Sequence, residues 1–348
     1  MRILISGNMG YVGPQVVRRL RSTYPDSEIV GIDMGFFAHC LTGAPALPEH
    51  QLDIQHFADV RKLNASVLEG FDVLILLAAV SNDPMGEAYE SVTARINNKS
   101  CARLAGLAKR AGTGHVVFAS SCSVYGFAEG DARSEDAELN PLTAYAQSKI
   151  DAEIALRELS GESLIITCLR FPTACGMSPR LRLDLVLNDF VASAIATGNI
   201  EILSDGTPWR PIIDTQDMAL AIDWAVQRTA SNGGAFLAIN AGCNEANYQV
   251  RELAVAVRDV LPDVTVSINP HAPPDKRSYQ VDFTLFQTLA PNHQPRVPLR
   301  HSVEELVRGL TDMNFSDRKF RESQFIRLHV LNELREQGRI NDNLEWLQ

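Results

Sequence analysis

A doubly wound parallel α/β sheet with a smaller C-terminal α/β lobe is the fold class the sequence predicts, on three observations. Short apolar runs alternate with stretches of helical spacing up to about residue 170, the pattern of repeated βαβ units. The first of these runs feeds directly into three spaced glycines and then an amphipathic helix. From Phe171 onward the alternation gives way to shorter elements joined by connections containing Pro, Gly and Arg.

Taken in order, Arg2-Ile-Leu-Ile-Ser6 reads as a buried strand. Gly7, Gly10 and Gly13 follow in a G-x-x-G-x-x-G spacing, and a helix runs to about Ser22. Between a strand and a helix, Gly7 permits the tight turn, Gly10 lets the backbone approach a pyrophosphate, and Gly13 lets helix and strand pack closely. The first N–H groups of the helix then face the phosphates. This context makes a Rossmann dinucleotide site out of an otherwise weak glycine pattern. Glu28–Asp33 reads as the second strand, ending in an acid that suits a ribose diol and repels a 2′-phosphate, so NAD is favoured over NADP.

Residues 34–48 read as a loop, and Leu52-Asp53-Ile54 as a short third strand with Asp53 near the adenine amino group. Phe71–Leu77 is an apolar fourth strand leading into Ala78-Ala79-Val80-Ser81, residues small enough for the backbone to lie against a cofactor. A long helical stretch from about Gly86 to Gly112 contains Asn97. The fifth strand, His115–Ser120, enters Ser121-Cys122-Ser123-Val124-Tyr125-Gly126. Ligands of such sheets lie at the carboxyl ends of the strands, where Gly7, Asp33 and Ser121 fall.

The helix expected from Tyr145 to Leu159 carries Tyr145 and Lys149 four positions apart. Such a pair shares a helix face, about 6 Å apart along the axis, so a phenol and an ammonium point into one site. A free tyrosine titrates near pH 10. Lowering that to about 7 takes roughly 4 kcal/mol in favour of the phenolate, which a nearby cation in a partly dry site helps supply.

Leu164–Arg170 reads as the sixth strand. Beyond it come a helix to about Thr197, a strand near Glu201-Ile-Leu203, the loop Asp205–Arg210, and helices over 216–230 and 247–260. The tail 316–348 is charged with a helical pattern and is expected to be solvated or partner-facing. The expected division is a dinucleotide domain over 1–170, mainly a substrate lobe over 171–315, and a helical tail over 316–348.

A chain of 348 residues can bury a large core. Its net charge of −10, with no strongly basic run, argues against a nucleic-acid partner. No apolar stretch approaches the roughly 20 residues that span a bilayer, and the chain opens directly as a strand. A cytoplasmic protein with no membrane partner is expected. The six cysteines, at 40, 101, 122, 168, 175 and 243, lack C-x-x-C spacing, so buried free thiols and no metal site are expected.

Together these residues resemble the extended short-chain dehydrogenase/reductases, the family of NAD-dependent nucleotide-sugar epimerases and dehydratases. The resemblance is carried by Gly7, Gly10 and Gly13, by Asp33, Asp53, Ala78-Ala79 and Asn97, and by Ser120–Gly126 and Tyr145/Lys149. Leu169-Arg170 with Thr173 and Gly176, and Asp205-Gly206 with Arg210 and Asp217, extend it over roughly residues 1–290. It implies that NAD is held by Gly7, Met9, Gly10, Tyr11, Val12 and Gly13, by Asp33, Asp53 and Ile54, and by Leu77, Ala78, Ala79, Ser81 and Pro172, with Tyr145 and Lys149. Tyr145 would act as acid/base on a sugar hydroxyl, Lys149 would hold the nicotinamide ribose, and Ser121 would bond the reacting oxygen.

Substrate contacts implied in the same way are Ser81, Ser121, Cys122, Ser123, Tyr145, Thr173, Asn188 and Arg210, the last clamping a diphosphate. Arg180, Arg182 and Arg277 either join Arg210 or form lobe salt bridges. Tyr279 either borders the nucleotide or packs in the core, and Asn97 is more often structural in this family.

Departures narrow the chemistry. Related 4,6-dehydratases place Asp-Glu where Cys122 and Ser123 stand, and decarboxylases place Glu at Ser123. Cys122 is then a small packing residue or a proton donor in a C3 or C5 epimerisation. Pro211 and Ser81–Pro84 also set this sequence apart from the best-known 4-epimerases. The expected function is a nucleotide-sugar epimerase working through a transient 4-ketose. A 4-ketoreductase or dehydrogenase is the alternative, ahead of a dehydratase or decarboxylase and of a non-catalytic dinucleotide-binding protein. A homodimer through the 86–112 stretch and the Tyr145 helix is implied by the family.

Overall fold

The computed structural model describes residues 1–128, 130–269, 272 and 278–347. Its first half is built on six parallel strands: β1 (Arg2–Ser6), β2 (Glu28–Asp33), β3 (Ile54–Phe57), β4 (Val73–Leu76), β5 (His115–Ser121) and β6 (Ile165–Phe171). Helices α1 (Gly13–Thr23), α2 (Asp83–Ala88), α3 (Glu90–Thr93), α4 (Cys101–Ala111) and α5 (Ala144–Leu159) lie between them. Strands covered on both faces read as continuous apolar runs; Val73-Leu74-Ile75-Leu76 is such a run, and all four side chains are buried. The strand order runs β6-β5-β4-β1-β2-β3, so the connections reverse direction between β1 and β4. That reversal opens a crevice at the carboxyl ends of the strands.

The third strand lies further along than expected. Residues 54–57 pair with β2, and Asp53 precedes them, its N–H donating to the Ile29 carbonyl. The sequence of this strand is Ile-Gln-His-Phe, at a sheet edge and mostly exposed, so its pattern carries little apolar signal.

The second half comprises β7 (Thr173–Cys175), α6 (Val186–Thr197), β8 (Asn199–Ile202), β9 (Trp209–Asp214), α7 (Thr215–Gln227), β10 (Phe236–Asn240), β11 (Asn247–Gln249), α8 (Val250–Val260), β12 (Thr265–Ile268), α9 (Thr284–Leu289) and α10 (Leu299–Asp312). A single cut at residue 170 does not describe it. Strand β10 adds a seventh parallel strand to the large sheet beside β6, and α7 packs Met218, Ile222 and Trp224 into the core beneath that sheet. The lobe proper is the β11-β9-β7 sheet and the β12-β8 pair, packed with α6, α8 and α10 around Leu187, Leu253, Val257 and Leu306.

The tail is not a solvated appendage. Phe320 and Phe325 enter the lobe core, and α11 (Arg327–Glu336) buries Val330, Leu331 and Leu334 with Ile340 and Leu344 against Cys40, Val80, Met85 and Tyr89. Most of its charged side chains other than Arg327 are exposed and mask this apolar stripe in composition. Among the described residues no helix is long and apolar enough to cross a membrane.

Candidate active site

A cavity of about 920 Å³ occupies the crevice, between the carboxyl ends of the sheet strands and the lobe. On the sheet side it is bordered by Gly7, Gly10, Tyr11, Val12 and Gly13. A Cβ on Gly7 would collide with the Ala78 backbone, and one on Gly13 with the Asn8 carbonyl. Gly7 also holds a φ of +80°, which side-chain-bearing residues avoid. The N-cap of α1, Val12, supplies no side-chain cap, so the helix meets the cavity with backbone N–H groups at its positive end. A close-packed turn with bare amides is the donor set a pyrophosphate needs, and the residues present fit NAD.

At the tip of β2, Asp33 borders the cavity and accepts hydrogen bonds from the Met9 and Gly35 N–H groups at 3.1 and 2.8 Å. Burial holds its pKa above the ordinary carboxylate value, against the pull of those two amides. Met9 contributes this backbone contact while its side chain is buried elsewhere. Leu77, Ala78, Ala79, Ser81, Pro172 and Thr173 all border the cavity as expected.

Asp53 and Ile54 do not. Asp53 sits at the amino end of the sheet, where Oδ2 accepts from the Ile29 N–H at 2.7 Å and from Arg21 at 2.6 Å. Ile54 opens β3 at that same end, with its side chain exposed. The acid that borders the cavity beyond β3 is Asp59, held by the Arg61 guanidinium. A strand placed at 54–57 rather than 52–54 would have pointed to it.

On the other side of the crevice, α5 begins with Thr143 as its cap, the hydroxyl accepting from Ala146 N–H at 3.1 Å and donating to Asp83 at 2.7 Å. This places Tyr145 in the first turn, with Gly86 of α2 packed so close that a Cβ there would lie 3.0 Å from that of Tyr145. Asn97, in a π-helical turn over Ala94–Ser100, bonds both backbone groups of Val80 and the Ser148 hydroxyl, bracing α5 without reaching the cavity.

Tyr145, Lys149 and Ser121 converge on the cavity. The expected lowering of the phenol by Lys149 is not found. Burial pushes Tyr145 up to about 12, with the nearby Ser121 hydroxyl pulling the other way. The Lys149 ammonium turns to the Ala119 carbonyl at 2.7 Å and lies 5.5 Å from the Tyr145 ring centre, and burial brings its own pKa down to about 8.

Of the substrate residues, Ser123 borders the cavity with a buried hydroxyl that has no hydrogen-bond partner among the described residues. Arg210 and Tyr279 border it too. Cys122 does not: it is fully buried, donates to the Arg170 carbonyl at 3.1 Å, and burial drives its thiol pKa well up. Arg180 is also off the cavity, paired with Glu49 at 2.6 Å. Asn188 is a buried staple between Gly176 N–H, the Tyr11 phenol and the Arg182 carbonyl. Arg277 lies outside the described residues.

Residues the sequence did not single out also reach the cavity: Asp83, Asp184 and, from the tail, Arg321, Arg327, Leu331 and Leu344. Arg182 borders it as well, clamped by Asp184 at 2.9 Å and donating to the Ser81 hydroxyl. Asp83 follows Asn82, a helix-cap signal that marks the start of α2 but not its approach to Tyr145. The tail residues carry no local signal, since only the folding-back of the chain brings them here.

A family model described as the NAD dependent epimerase/dehydratase family matches residues 3–242. UDP-glucuronic acid decarboxylase 3 of Arabidopsis thaliana is 26% identical over 314 residues, covering 87% of this chain and 87% of that protein. UDP-glucose 4-epimerase of Lactobacillus helveticus is 23% identical over 315 residues, covering 84% and 93%. Among solved structures, the UDP-glucuronic acid 4-epimerase of Bacillus cereus, in complex with UDP-glucuronic acid and NAD, has the same fold. Its TM-score is 0.75 at 21% identity, over 90% of this chain and 100% of that one.

Proposed function

Because this chain belongs to the NAD dependent epimerase/dehydratase family, and is thus an NAD-dependent enzyme of nucleotide-sugar chemistry, we propose that it is an epimerase working through a transient 4-keto sugar. The observation that carries this reading is the convergence of Tyr145, Lys149 and Ser121, the last at the carboxyl end of β5, on the same cavity as the glycine turn. NAD, when bound, would supply a reversible hydride acceptor carrying a positive charge in its oxidised form.

A phenol that titrates at about 12 is an acid at neutral pH, and it becomes a base only when a cation adjoins its oxygen. Tyr145 would therefore take the proton of the sugar hydroxyl only with a positive charge close to its oxygen, and would give it back without one. Ser121 holds the reacting oxygen against the phenol, while Lys149, anchored on Ala119, presents its ammonium to the nicotinamide ribose. Arg210 binds the diphosphate of the substrate. Inversion at C4 would require the 4-keto sugar to present its other face before it is reduced again.

Positions 122 and 123 supply no carboxylate: one is a thiol turned away from the cavity, the other a hydroxyl. This favours epimerisation over loss of water or of carbon dioxide, both of which need a second acid–base group. The family's homodimer is proposed with it, through α4 and α5, where Ile154 presents an exposed apolar side chain.

The test is to incubate the purified enzyme with UDP-glucose, UDP-glucuronic acid and UDP-N-acetylglucosamine without added reductant, and to follow the sugars by NMR. Formation of an isomer with no lasting absorbance at 340 nm is expected. Release of carbon dioxide, a 4-keto-6-deoxy product, or stoichiometric accumulation of reduced cofactor would reassign the reaction.

A further inference from the structure

We propose that the C-terminal tail is part of the NAD site: Arg327 bonds oxygens of the ribose–diphosphate, and residues 331–346 wall in the adenosine half. This rests on the reading of the cavity as an NAD site and adds to it residues from the far end of the chain.

Arg327 is 2% exposed and borders the cavity. One of its terminal nitrogens donates to the Arg180 carbonyl at 2.8 Å, and the guanidinium lies 4.5 Å from the centre of the Phe37 ring. The other, Nη1, is buried with no hydrogen-bond partner, and no carboxylate forms a salt bridge with Arg327 among the described residues. A buried guanidinium with one terminal nitrogen unbonded and no carboxylate in a salt bridge to it among the described residues is a costly arrangement that a bound anion or hydroxyl would relieve. The acceptors that fit at this place, one loop from Asp33, are the oxygens of a ribose or a diphosphate.

The rest of the tail is fastened at the adenosine end. Trp346 donates from Nε1 to the carbonyl of Met34 at 2.7 Å, next in sequence to Asp33, and its ring lies 5.2 Å from that of Phe36. Arg61, which holds Asp59, also donates to the carbonyls of Asn343 and Leu344 at 2.5 and 2.8 Å. Lys62 pairs with Glu345 at 2.9 Å, and Tyr89 donates to Asn332 at 2.9 Å. Leu331 and Leu344, both buried, then face the cavity opposite the tips of β2 and β3. A cofactor seated there leaves only after these contacts part, so the tail acts on residence time.

The test uses the full-length enzyme with Arg327→Met, Arg327→Lys and Trp346→Ala. Read-outs are NAD retained after dialysis, the rate of NAD release to a trapping dehydrogenase, and the melting temperature of the NAD-free protein. Arg327→Met should release NAD at least about tenfold faster, with an unchanged or raised NAD-free melting temperature because a dry unpaired charge is gone. Arg327→Lys should recover part of the retention. Trp346→Ala, at a half-exposed site that does not threaten folding, should also speed release. Native release rates in both Arg327→Met and Trp346→Ala would overturn the proposal. So would a loss of melting temperature with NAD release unchanged, the mark of a purely structural tail. If the unaltered enzyme binds no NAD at all, the reading of the cavity itself fails, and that result is distinct from either.

Discussion

Burial and hydrogen bonding pull Tyr145 in opposite directions, and burial prevails. Tyr145→Phe should abolish turnover while NAD still binds, as measured by retained cofactor and product NMR; full activity would remove the phenol from the mechanism. Lys149 pays for its position in stability. Its folded pKa of about 8 lies below the ordinary 10.5, so below pH 8 both folded and unfolded chains hold the proton and the burial penalty is complete. Between about 8 and 10.5 the unfolded chain binds more protons and native stability rises with pH; above that range both are neutral. Lys149→Met should therefore be inactive yet more stable at pH 7 by up to about 3 kcal/mol, the gap closing across that window in denaturant titrations at stepped pH. The Tyr145/Lys149 pairing was legible because four-residue spacing is local. That Lys149 would turn to Ala119 was not, since it depends on where β5 lies beneath α5.

The central strands, α1 and α5 were readable from their apolar runs, with ends within one or two residues of expectation. The helices expected over 216–230 and 247–260 are shorter by about three residues, and the stretch 86–112 is broken into α2, α3, a π-helical turn and α4. Elements that failed did so for physical reasons. The β3 strand is short, polar and at an edge, so the expected acid was taken from the wrong end of it. Strand β9 carries Pro211 within it, a residue that argues against a strand, and β10 joins a sheet left some seventy residues earlier, which no local pattern announces. Asp33→Asn should weaken NAD binding about tenfold by removing an acceptor for the ribose diol. Asp53→Asn should leave NAD binding within about twofold and cost at most about 1 kcal/mol of stability, as a partly exposed ion pair does. Calorimetric titration with NAD on the two variants checks both; equal losses would restore Asp53 to the cofactor site.

Across the whole molecule, the glycine turn is bolted to the lobe. The Tyr11 phenol donates to the Gly176 carbonyl at 2.6 Å and accepts from Asn188 at 2.9 Å, Ser178 donates to the Tyr11 carbonyl at 2.7 Å, and Gln15 donates to the Met177 carbonyl at 3.2 Å. Tyr11→Phe leaves Gly176 and Asn188 each short of a partner and should cost about 1–3 kcal/mol, measured as a lower denaturant midpoint with little change in slope. Neither this bolt nor the tail's return to Met34 could be read from sequence, because each joins residues more than 160 positions apart. The bolt also limits how catalysis can proceed. A jaw hinged at this seam would have to drag the phosphate cradle with it, so the chamber keeps its width and the guest does the moving. The hexose must pivot on its tethered diphosphate inside walls that stay still, and the scattering radius of the protein in solution should be the same before and after sugar nucleotide is added.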